Sequence, residues 1–163
     1  MATRSNIAYR TPEGTIRSIY CHWDGYPAHN GEMLRRHYKD QSKIEALVQL
    51  GSLSSLNENI APKGKHNFDK AEDGVVVAYA RDRGEQLVIS EYADIPSWID
   101  DMEEYAYLWN GREWLVNDHG ERDEAGLPIF SRVVDIINPR LLKEIGWDGV
   151  DTDPAWQEEQ SVA

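Results

Sequence analysis

The sequence has one cysteine, two phenylalanines and no long apolar run. A single cysteine cannot form a disulfide within the chain, which is typical of proteins kept in a reducing cytoplasm. A membrane-spanning helix needs about 20 consecutive, mostly apolar residues, so no such helix is expected. The first residues also lack the apolar core of a signal peptide. Together these absences predict a cytoplasmic protein that makes no contact with a membrane.

Basic residues are scarce as well, with 17 Lys and Arg against 29 Asp and Glu and a net charge of −12. The imbalance is uneven, because residues 1–50 have a net charge of +2 whereas residues 101–163 have a net charge of −10. A negative field repels free nucleic acid and attracts basic proteins. A basic protein is therefore a better candidate partner than free nucleic acid. The alternative is that the charge only keeps the protein soluble.

Aromatic residues with a polar group are abundant, since the chain has six Trp and eight Tyr. They are dense in the segment from Tyr20 to Gly31, which also holds two histidines and the cysteine. A loop that only joins two elements needs Gly, Pro, Asn or Asp and little else. The added Trp, Tyr and His side chains can stack, donate hydrogen bonds and titrate, so the segment is predicted to be a recognition loop.

The length suits a single domain, expected over residues 1–151, with a frayed tail over residues 152–163. The pattern of apolar residues and turns predicts an α+β fold with an antiparallel sheet and helices packed on one face. The predicted strands cover 5–10, 15–23, 75–80, 129–137 and a hairpin at 105–116, and residues 86–90 are expected to pair with 75–80. The predicted helices cover 31–50, 96–102 and 139–145. In the hairpin, Asn110-Gly111 predicts a type I′ turn.

Several short blocks resemble a family of small proteins encoded by tailed bacteriophages and prophages. The opening blocks are Thr3-Arg4-Ser5-Asn6-Ile7, Gly14-Thr15-Ile16 and Ser18-Ile19-Tyr20-Cys21-His22-Trp23-Asp24-Gly25-Tyr26, and the later ones are Gly51-Ser52-Leu53-Ser54-Ser55-Leu56 and Arg81-Asp82-Arg83-Gly84-Glu85. The resemblance implies an accessory phage protein that acts in the bacterial cytoplasm. Proteins of this size and setting often interfere with host functions, including defence systems. The resemblance transfers no catalytic residue.

The first functional hypothesis is a protein-binding surface in residues 94–124, which hold ten acidic and two basic side chains. Aromatic side chains rimmed by carboxylates suit a protein interface, and the charge would steer a basic host protein such as a nucleic-acid-handling nuclease. The predicted contact residues are Asp100, Asp101, Glu103, Glu104, Trp109, Trp114, Glu121, Asp123 and Glu124. The alternative is that the hairpin aromatics pack in the core.

The second hypothesis is a binder that sequesters a nucleotide-derived immune signal. Two arginines can grip a phosphate, a helix start near Asn30 favours anions, and aromatic rings can stack on a base. The predicted pocket residues are His22, Trp23, Asp24, Tyr26, Asn30, Arg81, Arg83 and Glu85. The pocket requires that the strands before the 22–30 loop and the 81–85 turn are neighbours. Otherwise the turn is a charged surface turn whose groups neutralise one another.

A third and weaker hypothesis is a hydrolase that uses His22, Asp24 and Glu85 as acid and base. His22 and Asp24 with His66 or His119 also have the composition of a metal site with two histidines and one carboxylate. The sequence shows no Gly-rich phosphate loop, nucleophile elbow or zinc spacing. No catalytic residue, metal or cofactor is therefore predicted, and a homo-oligomer remains compatible with the sequence.

Overall fold

The computed structural model describes residues 2–136, which form a mixed eight-stranded sheet with five α-helices. The strands are β1 (Ser5–Arg10), β2 (Ile16–Cys21), β3 (Leu53–Ser55), β4 (Val77–Ala78), β5 (Ser90–Tyr92), β6 (Tyr105–Trp109), β7 (Trp114–Asp118) and β8 (Ser131–Arg132). The helices are α1 (Glu32–His37), α2 (Gln41–Gln49), α3 (Tyr79–Arg83), α4 (Ile95–Asp100) and α5 (Val133–Ile136), and a π-helical turn over Pro27–Gly31 precedes α1. The α+β prediction is confirmed. The predicted helix at 139–145 and tail at 152–163 lie outside the described residues.

The sheet contains two parallel strand pairs, whereas the sequence predicted an antiparallel sheet. Its order is β4-β3-β2-β1-β6-β7-β8, and β5 pairs with β2 beside β3. The parallel pairs are β1 with β6 and β2 with β3. Parallel neighbours need a long connection. The helices between β2 and β3 provide one, and β1 and β6 are far apart in the sequence.

Two predicted strands are shorter than expected, because a helix begins inside each. The Asp82 carboxylate accepts the amide of Ala78 at 2.8 Å and closes a helical turn that starts at Tyr79. A side chain that binds nearby backbone in this way competes with the strand ladder. Residues 90–92 pair with β2, so the expected pairing of 86–90 with 75–80 is wrong. The predicted strand at 129–137 is reduced to β8, which α5 follows.

The predicted helix over 31–50 is interrupted at Tyr38, where the backbone leaves the helical region. The carbonyl of Tyr38 accepts the indole N–H of Trp114 at 2.8 Å, and its hydroxyl donates to the carbonyl of Asn57 at 2.6 Å. Tyr38 is fully buried. The indole of Trp114 thus takes the carbonyl of Tyr38, which a continuous helix would bond internally, while the amide of Tyr38 still donates to the carbonyl of Leu34 at 3.0 Å.

The hairpin of β6 and β7 is confirmed, but its turn differs from the prediction. Trp109 pairs with Trp114, so four residues form the loop. The side-chain oxygen of Asn110 accepts the amides of Arg112 at 2.9 Å and Glu113 at 2.8 Å. A type I′ turn needs positive φ at two central residues, and in this loop only Gly111 has it. The predicted type I′ turn is therefore wrong.

Helices cover both faces of the sheet, rather than one. The larger core joins one face to α1, α2 and α5, and it contains Tyr107 and Trp109, with Tyr105 packed against it as their shared face predicted. The second core joins the other face to α4 through Trp98 and Ile99. The indole N–H of the buried Trp98 donates to the hydroxyl of Ser18 at 2.9 Å. None of the helices formed by residues 2–136 is long and apolar enough to span a bilayer.

Four connecting segments meet at one end of the sheet. Ser5 pairs with both Cys21 and Tyr105, and Tyr105 pairs with Asp118. The starts of β1 and β6 therefore lie beside the ends of β2 and β7. This arrangement brings together residues 2–4, 22–30, 100–104 and 119–124, although they are distant in the sequence.

Candidate functional site

The acidic residues predicted to bind a partner converge at this end of the sheet. We call them the acidic rim: Asp100, Asp101, Glu103, Glu104, Glu121, Asp123 and Glu124. The guanidinium of Arg122 contacts Asp100 at 2.5 Å, and the amide of His119 donates to the carbonyl of Glu104 at 2.7 Å. These contacts join the segment after α4 to the loop after β7. The rim is therefore one continuous surface built from two separate segments.

Among residues 2–136, two basic side chains contact the rim, fewer than its seven carboxylates. Arg4 lies 3.5 Å from Glu103 and 3.7 Å from Glu104, and Arg122 pairs with Asp100. Asp123 has a structural role, because its carboxylate accepts the amides of Ala125 and Leu127 at 2.9 Å each. The exposed ion pairs of Arg4 and Arg122 contribute little to stability. The rim remains a negatively charged surface.

Trp109 and Trp114 do not belong to this surface. Their exposed fractions are 6% and 4%, and their ring centroids lie 5.5 Å apart in the larger core. The indole of Trp109 donates to the side chain of Gln41 at 2.8 Å, while that of Trp114 donates to the carbonyl of Tyr38. Both rings lie at the end of the hairpin away from the rim. Their role is to hold the helices on the sheet, and the predicted contact with a partner is replaced by core packing.

A different tryptophan, Trp23, is exposed near the rim in the segment from His22 to Asn30, which we call the aromatic loop. Its exposed fraction is 45%, and its ring packs edge-on against His22 with the centroids 4.7 Å apart. Nδ1 of His22 lies 2.6 Å from the hydroxyl of Tyr20. These contacts orient an indole that still has free surface. A partner can cover that surface without rearranging the core.

The other predicted residues of the aromatic loop hold its shape. Asp24 has a φ of 56°, and its carboxylate accepts the hydroxyl of Tyr26 at 3.4 Å. Asn30 is fully buried, and its side-chain amide donates to the carbonyl of Trp23 and the hydroxyl of Ser5, both at 3.3 Å. Asn30 therefore closes the loop from inside instead of facing a ligand.

The aromatic loop and the acidic rim flank the N-terminal segment. The amide of Gly25 donates to the carbonyl of Thr3 at 2.8 Å, and its own carbonyl accepts the hydroxyl of Tyr107 at 2.6 Å. On the other side of this segment, the amide of Arg4 donates to the carboxylate of Glu104 at 3.1 Å. The loop and the rim are thus parts of one surface, with residues 3 and 4 between them.

Burial and neighbouring carboxylates shift the pKa values of several titratable groups at this end of the sheet. Burial raises the pKa of the Cys21 thiol to about 12, so the thiolate nucleophile is not formed near neutral pH. Burial and the nearby carboxylate of Glu103 raise the pKa of Tyr20, and burial and Asp118 do the same for Tyr105. These hydroxyls remain hydrogen-bond donors. Across residues 2–136, no three His, Cys, Asp or Glu side chains converge as metal ligands.

Arg81 and Arg83 lie in the short helix α3, not at the tip of a hairpin as predicted. Arg81 donates to the carbonyls of Ile60 at 2.6 Å and Val76 at 2.7 Å, so it ties two backbone segments together. The guanidinium of Arg83 lies over the ring of Phe68, 4.1 Å from its centroid, and contacts Glu85. Arg83 and Phe68 border an open groove of about 550 Å³.

The two halves of the predicted nucleotide pocket do not follow neighbouring strands. β3 lies between β2 and β4, and it is parallel to β2 but antiparallel to β4. The chain therefore leaves β4 in the direction opposite to that in which it leaves β2. The aromatic loop follows β2 and α3 follows β4, so the two segments leave the sheet in opposite directions, although Cys21, Leu53 and Ala78 pair in one row.

Residues that sequence reasoning missed join two predicted glutamates in a groove in the rim. Its volume is about 320 Å³, and its lining residues are Ile99, Met102, Glu103, Glu104, His119 and Gly120. The two glutamates were predicted to contact a partner and His119 was considered only as a metal ligand, whereas Met102 and the neighbouring Arg4 were not singled out for function. Only the pairing of β6 with β1 and β7 brings these residues together, and no local pattern signals it.

The comparisons with known proteins give no match: no protein-family description, no curated protein and no solved structure is similar to this chain. The function is therefore argued from the residues and their geometry.

Proposed function

We propose that this chain is a bacteriophage accessory protein that antagonises a host or defence function by binding a basic host protein in the bacterial cytoplasm. The observation that carries the proposal is the convergence of the acidic rim with the exposed Trp23 at one end of the sheet. The phage setting follows from the family resemblance of the opening sequence blocks. The proposed binding surface is the rim together with the aromatic loop, and it does not include Trp109 or Trp114.

Electrostatics supports a basic protein as the partner. The carboxylates of the rim outnumber the guanidiniums of Arg4 and Arg122, and they lie on one surface. Such a field accelerates association with a positively charged protein and repels the phosphates of free nucleic acid. A protein that itself binds nucleic acid presents the complementary charge.

Trp23 supplies the apolar part of the proposed contact. Tryptophan is enriched among the residues that dominate interface energies, and a half-exposed indole offers a large apolar area at little entropic cost. Its packing on His22 orients it before a partner arrives. The surface thus combines an apolar anchor with surrounding charge.

The nucleotide and hydrolase hypotheses have less support. A shared pocket requires the aromatic loop and the 81–85 segment to converge, whereas the chain leaves β2 and β4 in opposite directions. Arg81 is engaged by backbone carbonyls, and Glu85 is engaged by Arg83. The nucleotide hypothesis is tested by calorimetric titration of the parent and of Arg83→Ala with cyclic and linear nucleotides. Heat of binding with the parent and none with the variant would support it.

The test of protein binding is charge reversal with a matched control. The rim variant replaces Asp100, Asp101, Glu103 and Glu104 with lysine. The control variant makes the same change of charge outside the rim, with lysine at Glu13, Glu45, Asp69 and Asp73. Tagged parent and variants are used to capture partners from a bacterial lysate, and the association rate is then measured with the purified partner.

We expect the parent and the control to retain the same basic protein. The rim variant should associate at least about tenfold more slowly at low salt, and its rate should depend less on ionic strength. Circular dichroism and urea unfolding check that both variants fold. A rim variant that binds and inhibits its target as well as the parent does would reduce the rim to a solubilising surface.

A further inference from the structure

The groove in the rim has the dimensions and lining of a receptor for one long cationic side chain. Its volume of about 320 Å³ lies near the lower limit for ligand pockets, which start at roughly 300 Å³. Ile99 and Met102 give it an apolar wall, while Glu103 and Glu104 give it a negative one. A side chain with an apolar stem and a charged end satisfies both walls at once.

The structure already holds one guanidinium against these carboxylates. Nε of Arg4 lies 3.5 Å from Glu103 and its Nη2 lies 3.7 Å from Glu104, while the Arg4 side chain stays 47% exposed. Well-formed charge-assisted hydrogen bonds are about 2.7–2.9 Å long, so this contact is loose. Each carboxylate can also accept more donors than Arg4 supplies. A second guanidinium can displace Arg4 by making shorter bonds.

We propose that the groove binds an arginine side chain of the partner protein and that Arg4 is its intramolecular competitor. The inference rests on the proposed function and names the partner group that the rim recognises. Arginine suits the site better than lysine, because its planar fork of donors matches two neighbouring carboxylates and an ammonium is a compact point charge. The exposed ring of His119, packed against Tyr105, forms the remaining wall.

The test follows amide chemical shifts of the full chain during titration with N-acetyl-arginine amide. N-acetyl-lysine amide and N-acetyl-citrulline amide are the comparison probes, and citrulline keeps the shape of arginine without its charge. We expect saturable shifts at residues 99–104 and 119–120 with arginine, weaker shifts there with lysine and none with citrulline. Equal responses to arginine and lysine, or shifts spread over acidic residues elsewhere, would overturn the proposal.

Variants test the two parts of the inference separately. Arg4→Gln removes the competitor and should tighten arginine binding roughly two- to fivefold, the size expected of an exposed ion pair. Glu104→Gln should weaken it at least about fivefold. The double control Glu13→Gln and Asp73→Asn should leave it unchanged. Weaker or equal binding by Arg4→Gln would show that Arg4 does not compete for the groove.

Failure of this inference is distinguishable from failure of the proposed function. If the arginine probe does not bind and charge reversal of the rim still abolishes capture of the host protein, the groove inference is wrong and protein binding by the rim stands. If the probe binds the groove and rim reversal leaves capture of the host protein intact, the groove recognises arginine but is not the host-binding site.

Discussion

At the scale of single residues, the buried carboxylate of Asp82 organises the segment that the sequence analysis interpreted either as part of a ligand pocket or as a charged surface turn. Its side chain is 4% exposed and accepts bonds from the amide of Ala78 and the guanidinium of Arg81. Nε2 of the buried His66 lies 3.1 Å from it. Nδ1 of His66 accepts the amide of Glu72 at 2.9 Å, so Nε2 is the ring nitrogen on the side of Asp82. These contacts hold the side chain of Asp82, and with it the start of α3, in one conformation.

The first prediction follows from this carboxylate. Burial alone would raise the pKa of Asp82, but the bonds from Arg81, Ala78 and His66 outweigh it and lower that pKa. A lowered pKa stabilises the fold above the unfolded-state value of about 3.9, and the stabilisation is lost as pH falls through the folded value. Asp82→Asn should therefore cost about 2–4 kcal/mol in the free energy of unfolding at pH 7 and progressively less in acid.

Urea unfolding of the parent and Asp82→Asn between pH 3 and pH 7 measures this effect. Asp69→Asn is the matched control, because Asp69 is exposed beside the same helix. A destabilisation that stays constant over the whole pH range would contradict the ionic role of Asp82.

The second prediction concerns Cys21, which is fully buried and whose pKa is raised to about 12. Because alkylation needs an accessible thiolate, native protein should resist iodoacetamide at pH 8, and urea-unfolded protein should react at the rate of a free thiol. Mass spectrometry over a time course gives both rates. Rapid alkylation of the native chain would mean that the aromatic loop opens readily, since Asn30 and Trp23 cover the sulfur.

At the scale of elements, local signals predicted well where a single stretch of chain decides the structure. Asn110-Gly111 between aromatic strands predicted the hairpin, and Pro96 predicted the start of α4, which begins one residue earlier at Ile95. The predicted turn type was wrong because the side chain of Asn110 binds two backbone amides in a longer, four-residue loop. The break after α1 was not predicted, because it depends on the bond from Trp114 to the carbonyl of Tyr38 and on the bond from the Tyr38 hydroxyl to the carbonyl of Asn57, and both partners are distant in the sequence.

The third prediction tests how the aromatic loop is held on the N-terminal segment. A Cβ on Gly25 would lie 2.8 Å from both the Cβ of Ser5 and the carbonyl oxygen of Thr3. Backbone atoms would have to move, so Gly25→Ala should destabilise the fold by about 1–3 kcal/mol. Gly64→Ala is the control, because there the nearest atom is the end of the flexible Glu72 side chain at 3.2 Å. Equal urea midpoints for both variants would argue against this packing.

At the scale of the whole molecule, the candidate site is a product of topology. Composition and charge predicted the acidic segment, and aromatic density predicted the loop near Trp23. Neither indicated that the parallel pairing of β1 with β6 would place the loop and the rim at one sheet end. Conversely, β3 lies between β2 and β4 and the chain leaves these two strands in opposite directions, although the loop and Arg83 had been assigned to one pocket. Long-range strand pairing decides such questions, and a single sequence holds little signal for it.

The last prediction is that repulsion between the carboxylates of the rim lowers the free energy of unfolding. Like charges on one surface repel each other, and the repulsion weakens as salt screens it. Replacing Glu121 and Glu124 with glutamine should therefore raise the free energy of unfolding by about 0.5–1 kcal/mol at low ionic strength, as relief of surface charge commonly does. The gain should shrink in 0.5 M salt, while association with the captured host protein becomes slower. The same neutralisation at Glu13 and Asp73, outside the rim, should give a smaller gain in urea unfolding and leave association unchanged. If both pairs stabilise equally at low salt, the repulsion belongs to the net charge of the chain and not to the rim.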